Sequence, residues 1–391
     1  MEKVGCHQLS IIIPTYNGEY YIENCINSII KQQNKKIEII VIDDDSSDRT
    51  VDIVKVQFGA QVKLIKNRKR LGMTSNYEKA LRVAKGEWVS IMGQDDLMLP
   101  NSVSRILEII DKNREIDIIV SSRSYYYWDN YVRDKNQIKL MIYKNDLVTR
   151  KISSKNRLFF TLNGLCEYNE GPQLYTGSII RKVLIDKITL KQNGKFFFYD
   201  IPDVSSAISL LTNSKSYLKV FNSLFLIGSS MQSTGLLIDK IGYQEKENII
   251  KQFRVQEGSK SIPGLGLTSS FHWYFTEAYN AYYSQFFSNE KRPINSKKII
   301  MLAVILARRN LKFQSFNFKI IKQRLEVRDT VYNYFSIILI TTLYKIIYSL
   351  KYLSKIIYSA LLLLFRMFNY DSNVKDNEIL IFLFEKSLKR H

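Results

Sequence analysis

The stretch LSIIIPTYNGEYYIENCINSIIKQQNKKIEIIVIDDD, residues 9–45, joins a short β-branched run, a polar break, a segment with helical spacing and a second β-branched run that ends in three acids. Apart from Ser10, residues 9–13 are apolar without alternation, as in a strand covered on both faces, and residues 37–42 read the same way apart from Glu38. Between the two runs, Ile22, Cys25, Ile26, Ile29 and Ile30 recur at i, i+3, i+4, i+7 and i+8, which gives a helix one apolar face. Strand, helix and strand in that order form the unit of a parallel sheet, because parallel neighbours need a crossover. Working outward, strands are expected at 62–66 and 87–92, with Tyr77, Ala80, Leu81 and Ala84 marking the helix between them. A further helix begins after Pro100 and Asn101 with Val103, Ile106, Leu107 and Ile110 inward, and residues 115–122 read as another strand. The fold class is therefore α/β, a Rossmann-like, mostly parallel sheet with flanking helices.

Such sheets bind ligands beyond the carboxyl ends of their strands. Three of those ends carry polar clusters: Pro14, Thr15, Tyr16 and Asn17 after the first strand, Asp43, Asp44 and Asp45 after the second, and Asp95 and Asp96 after the fourth. One shared crevice is expected. Residues 123–160, rich in Tyr, Lys and Asn, read either as irregular structure over that crevice or as a surface excursion, and 171–230 return to strand and helix.

The chain has 391 residues, 46% of them apolar, enough for a catalytic domain and an appendage and too apolar for a disordered chain. A formal charge of +20 favours anionic partners. Three cysteines, Cys6, Cys25 and Cys166, have no paired spacing, which suggests reduced thiols in the cytoplasm, and the opening MEKVGCHQLS has no apolar signal region. Only His7, His272 and His391 are present, so a histidine zinc site or a Ser-His-Asp relay is poorly supplied and any metal is expected on carboxylates. Adjacent acids such as Asp95 and Asp96 repel each other, and a divalent cation that also bridges phosphate oxygens makes the pair favourable. A solvated turn is the plain alternative for Asp95 and Asp96, and helix capping by Ser46, Ser47 and Asp48 the plain account of the acidic turn before them.

Three motifs in order, residues 9–30, IEIIVIDDDSSDRT (37–50) and LGMTSNYEKALRVAKGEWVSIMGQDDLMLP (71–100), resemble the family 2 inverting glycosyltransferases, a GT-A fold class; YDIPDVSSAISLL (199–211) and IGSSMQSTG (227–235) resemble a bacterial surface-polysaccharide subset of them. The resemblance implies a nucleoside diphosphate sugar donor, UDP-linked by preference, and Mn²⁺ or Mg²⁺ as cofactor. It places Pro14, Thr15 and Tyr16 around the base, Asp43 and Asp44 on the donor with Asp44 accepting from uracil N3, Asn76 also on the donor side, Asp95 on the metal, and Asp96 beside it on the metal or the donor. Asp203, or else Asp200, is the implied base that deprotonates the acceptor hydroxyl; the alternative is that Pro202 and Asp203 simply start a helix. Two departures stand out. Asp45 occupies the place of the usual Gly of a DDGS turn, a residue that still tolerates a positive φ, and Gly93 replaces the usual first Asp of the metal motif. Gly228, Ser229 and Ser230 match a region near the acceptor, a weak signal, and Lys79, Arg68 and Arg70 are candidates for the diphosphate, although surface charge explains most such residues.

The expected division is a GT-A domain over 1–235 and a mainly helical region over 236–391. In residues 331–368 the longest uncharged run, Thr330 to Tyr344, has 15 residues, short of the about 20 a spanning helix needs. On a helix, Thr341, Lys345, Tyr348, Lys351, Tyr352, Lys355, Ser359 and Arg366 share one arc opposite apolar residues. That suits a helix lying on an anionic leaflet, with packing on protein as its alternative. The expected protein is thus a metal-dependent inverting hexosyltransferase, peripheral on the cytoplasmic face of the inner membrane, acting on a lipid-linked saccharide acceptor in polysaccharide or O-antigen assembly, with self-association left open. Its rivals are a catalytically inactive scaffold, favoured by Gly93, a basic nucleic-acid binder, disfavoured by dispersed basic residues and the lack of a recognisable motif, and a dehydrogenase, disfavoured because PTYNGEYY stands where a G-x-G-x-x-G would be.

Overall fold

The computed structural model describes residues 7–129, 140–141, 148–162, 168–199, 201–230 and 271–287. Cys6, Cys166, Asp200 and the amphipathic stretch 331–368 lie outside the described residues. β1 (Leu9–Thr15), β2 (Ile37–Asp43), β3 (Lys63–Lys66) and β4 (Trp88–Ile91) form a parallel half-sheet in the order β3-β2-β1-β4. β9 (Ser178–Arg181) follows antiparallel to β4, then come β6 (Ile118–Tyr127), β10 (Ser216–Ser229) and β5 (Leu97–Met98). β7 (Leu140–Met141) pairs with β6 and β8 (Thr149–Ser153) with β10. The sheet is mixed but parallel in its N-terminal half, as the sequence led one to expect.

Two apolar layers explain the unbroken hydrophobic runs. Leu9, Ile11 and Ile13 of β1, with Ile39 and Val41 of β2, pack against α1 (Ile22–Ile30) and α4 (Ser102–Lys112). Ile12, Ile40 and Ile42 point the other way, into a layer with α3 (Met73–Val83), α6 (Lys182–Lys191) and α7 (Pro202–Asn213). Side chains alternate across a strand, so a strand covered on both faces needs apolar residues at every step. Ile22, Cys25, Ile26 and Ile29 of α1 are all fully buried, as is Val103 of α4, and burial of each such side chain is worth about 1.5–3 kcal/mol.

Residues 123–160 are more regular than their composition suggests. β6 continues to Tyr127 because Ser122 to Tyr127 pair with Ser223 to Ser229 of β10, and α5 (Ser154–Leu162) follows β8. Strand state here comes from a partner a hundred residues away, which local periodicity does not register. α8 (Phe271–Phe286) lies beyond the expected boundary at 235, yet its Phe275, Ala278 and Tyr282 are buried in the same layer as α3 and α7. No helix among the described residues is long and apolar enough to cross a membrane.

Candidate active site

Parallel register brings the strand ends level: Thr15 stands opposite Asp43, and Met92, just past β4, donates its N–H to the Ile12 carbonyl. The loops that follow lock together. Asn17 N donates to Ser46 Oγ at 2.8 Å, Ser47 N to Asn17 Oδ1 at 2.9 Å, and Gly18 N to Thr50 Oγ1 at 2.8 Å. Asn17 and Asp45 both sit at positive φ, 50° and 64°, the conformation that an Asp in place of Gly was expected to tolerate.

Asp43 and Asp44 do different work. Asp43 is buried and accepts from the backbone and hydroxyl of Ser46, closing its own turn. Asp44, 4% exposed, accepts from Asn67 Nδ2 at 2.9 Å, Leu71 N at 2.7 Å and Gly72 N at 2.9 Å, and so pins the loop before α3 to the end of β2. Asp48 takes the capping part, accepting from Thr50 N at 3.0 Å. Asn76 is buried below this network, bonded to Asn67 and to the Ile42 carbonyl, and Lys79 Nζ donates to Asn67 Oδ1 at 2.7 Å. Arg70 lies over the Tyr16 ring, 4.0 Å from its centroid, a cation–π contact at the mouth of the crevice. Gln94, which the sequence did not single out, accepts from Thr15 Oγ1 at 2.5 Å and Tyr16 N at 3.0 Å, fastening the end of β1 to the acidic motif.

The acidic pair divides in the same way. Asp96 is fully buried: Gly93 N at 2.8 Å and Thr176 Oγ1 donate to Oδ2, and Gly228 N at 2.8 Å donates to Oδ1. Burial, then the charge of Asp95, pushes its carboxyl above the ordinary range against those three donors. Asp95 is partly exposed; Oδ2 accepts from Ser230 Oγ at 2.7 Å and its carbonyl from Trp128 Nε1 at 2.9 Å. A Cβ at position 228 would stand 1.8 Å from the Asp95 carbonyl oxygen, so β10 reaches the pair only because residue 228 is Gly. Gly228 and Ser230, weak signals in the sequence, close the site, while Thr176 carried no signal at all.

Asp203 follows Pro202 at the start of α7, where the helix dipole favours its charge. Tyr168 Oη donates to Oδ2 at 2.9 Å and Val204 N to Oδ1 at 3.0 Å. Burial nevertheless raises its carboxyl above the ordinary range, opposed by Tyr168, Val204 N and the charge of Arg123. Asp203 and the acidic pair share one neighbourhood: Asp95, Asp96 and Asp203 all help burial to raise the phenols of Tyr77 and Tyr175. The site thus has one end at Tyr16 and Asp44, an acidic centre at Asp95 and Asp96, and a further carboxylate, Asp203, at the start of α7.

The donor chemistry fits a hard divalent ion that brings its own phosphate and water ligands, since Asp95 is partly exposed while Asp96 is fully buried among three protein donors. Among the described residues, no group of three or more His, Cys, Asp or Glu makes an all-protein cage.

Residues 10–188 match the family model described as glycosyl transferase family 2. An uncharacterized protein of Mycobacterium tuberculosis is 37% identical over 98 residues, covering 25% of this chain and 31% of that protein. An uncharacterized glycosyltransferase of Mycoplasma genitalium is 29% identical over 211 residues, 49% of this chain and 69% of that one, and its Mycoplasma pneumoniae homolog is 26% identical over 68% of this chain and 92% of that one. The match therefore spans less than a third of the M. tuberculosis protein's length. Among solved structures, Staphylococcus aureus TarS 1-349 in complex with UDP-GlcNAc aligns with a TM-score of 0.45 at 18% identity, over 76% of this chain and 80% of that one. By the family match over residues 10–188, the α/β part of this chain is similar to glycosyltransferase family 2, and its strand order is that of a GT-A, Rossmann-like sheet.

Proposed function

We propose that the chain is an inverting glycosyltransferase that moves a sugar from a UDP-sugar to a hydroxyl of a saccharide acceptor. The observation that carries this reading is that one short segment ties the two acidic centres together: Thr176 Oγ1 donates to Asp96, next to Asp95, and Leu174 N to Ser206 Oγ on α7, the helix that carries Asp203. Asp44 accepts three hydrogen bonds, one fewer than the about four lone-pair sites of a carboxylate. The remaining site suits an N–H donor of the base, such as the imide N–H of uracil. Tyr16, with Arg70 over its ring, supplies the aromatic surface for that base, and Pro14 and Thr15 precede it at the end of β1.

Asp95 would hold Mg²⁺ or Mn²⁺ together with diphosphate oxygens, and the bound ion would supply positive charge against the departing diphosphate. Asp96 holds Gly93, Thr176 and Gly228 in place around that position rather than facing the ligand. Asp203 takes the proton of the acceptor hydroxyl as its oxygen forms the new bond to the anomeric carbon and the bond from that carbon to the diphosphate oxygen breaks. A raised carboxyl is a better base, and Tyr168 fixes its orientation. The acceptor is a lipid-linked saccharide of surface-polysaccharide assembly, O-antigen included, met at the cytoplasmic face of the inner membrane. The net charge of +20 and the lysine stripe of residues 345–355 support that setting.

The test is thermal stabilisation by UDP-N-acetylglucosamine, UDP-glucose and UDP-galactose with and without Mn²⁺, followed by transfer assays on Asp203→Asn. A ligand bound only by the folded state raises its melting temperature. Mn²⁺-dependent stabilisation by one of the three, with transfer lost and donor binding retained in Asp203→Asn, is expected. Full transfer by that variant removes Asp203 as base, and an inactive scaffold would bind donor in the wild type yet turn none over.

A further inference from the structure

Gly93 stands where a family 2 enzyme usually has an acid, and a side chain there would meet the polar ends of three others. The point a Cβ would occupy lies 2.7 Å from the Tyr175 hydroxyl, 2.8 Å from Asp96 Oδ2 and 3.1 Å from Asp95 Oδ1. A phenol oxygen and both carboxylates therefore crowd around one point in the crevice. The loop holding Tyr175 is fixed on either side of it. Leu174 N donates to Ser206 Oγ at 2.9 Å on α7, the helix of Asp203, and Thr176 Oγ1 donates to Asp96. Ser178 N to the Tyr175 carbonyl, 3.1 Å, completes the turn. Tyr175 is thus held between the metal-side carboxylates and the base, while part of its ring stays exposed.

We propose that the Tyr175 hydroxyl holds the sugar moiety of the donor, in place of the carboxylate that a residue with a side chain at position 93 would present. This rests on the donor reading above, and the reasoning is geometric. The transferred carbon is bonded to the diphosphate on the Asp95 side and is attacked by an oxygen deprotonated on the Asp203 side, so the sugar lies between them. A phenol there both donates and accepts, and it adds no negative charge beside an anionic diphosphate. A phenol, with an ordinary pKa of about 10, is protonated at working pH. The residue is a positioning group for the sugar, not for the nucleotide.

The measurement is the affinity of wild type and Tyr175→Phe for UDP and for whichever of the three UDP-sugars stabilises the wild type most, both with Mn²⁺, by calorimetry. The variant loses one oxygen and keeps the ring. A roughly tenfold weaker UDP-sugar affinity is expected with UDP affinity within about twofold, since about 1.4 kcal/mol corresponds to a factor of ten. Equal weakening for both ligands would show a structural role and overturn the proposal, as would no change for either. Failure of the wild type to bind any of these nucleotides overturns the donor reading, and this proposal with it.

Discussion

Tyr168 illustrates how a single residue sets the chemistry of another. Its hydroxyl gives the largest of the effects that favour the ionised form of Asp203, and burial works against it. A base must be ionised to accept a proton, so activity falls as pH drops through the Asp203 pKa, and because that pKa is raised the fall begins above the ordinary carboxylate range near about 4. Tyr168→Phe removes a stabilising donor, so the acid limb of a kcat/KM profile is expected to move to higher pH, with little change on the alkaline plateau. An unmoved limb would separate Tyr168 from the base. The same residue also marks where residue-level reading stops. Asp44, Asp95 and Asp203 stand out in the sequence because they fall just past strands or behind a proline within motifs that resemble one family, although a turn or a helix start accounts for such acids as well. Tyr168, which donates to Asp203, Thr176, which donates to Asp96, and Gln94, which accepts from Thr15 and Tyr16, are ordinary residues whose value comes only from the fold, and no local pattern identifies them.

At the level of elements, β1 to β4 and the helices α1, α3 and α4 were legible from their own apolar periodicity, whereas the two-residue β5, which pairs with β10, was not. β6 beyond Ser122 was not, since Arg123, Ser124 and the tyrosines after it are held as a strand by β10. α8 was not resolved from the sequence as an element either, and its role is not peripheral. Phe275 is fully buried and stacks on Tyr168, ring centroids 5.9 Å apart, while Tyr282 accepts from Asn213 Nδ2 at 2.8 Å on α7. α8 therefore backs both the helix that carries Asp203 and the tyrosine that orients it. Phe275→Ala leaves a cavity of aromatic size, for which a loss of about 3–5 kcal/mol is typical, and removes the wall behind Tyr168. Denaturant unfolding should show that loss, and transfer should fall further than donor binding in the protein that remains folded. A change below about 1 kcal/mol would mean that α8 is not part of the catalytic core, and would favour the boundary at residue 235.

For the molecule as a whole, charge is the one property that the sequence states outright, and it decides how the chain meets its surroundings. A net +20 creates a field that attracts anionic surfaces, screened over about 10 Å at 0.1 M salt. Dispersed charge of this kind gives weak attraction to any polyanion, whereas a lysine stripe opposite an apolar helix face adds insertion, which depends on lipid and not on charge alone. Lys345, Lys351 and Lys355 recur at spacings that place them on one helical arc, so their effect should exceed that of lysines spread over the catalytic domain. Each basic residue near an anionic leaflet is worth about 1 kcal/mol, so replacing all three by Glu in the full chain should weaken binding to phosphatidylserine-containing vesicles by at least about a hundredfold at 0.1 M salt. Donor binding should stay unchanged, because these residues lie outside the crevice motifs. If the triple variant sediments with such vesicles as well as the wild type does, or if both bind neutral phosphatidylcholine equally, the stripe is not the membrane contact and the +20 charge serves some other anionic partner.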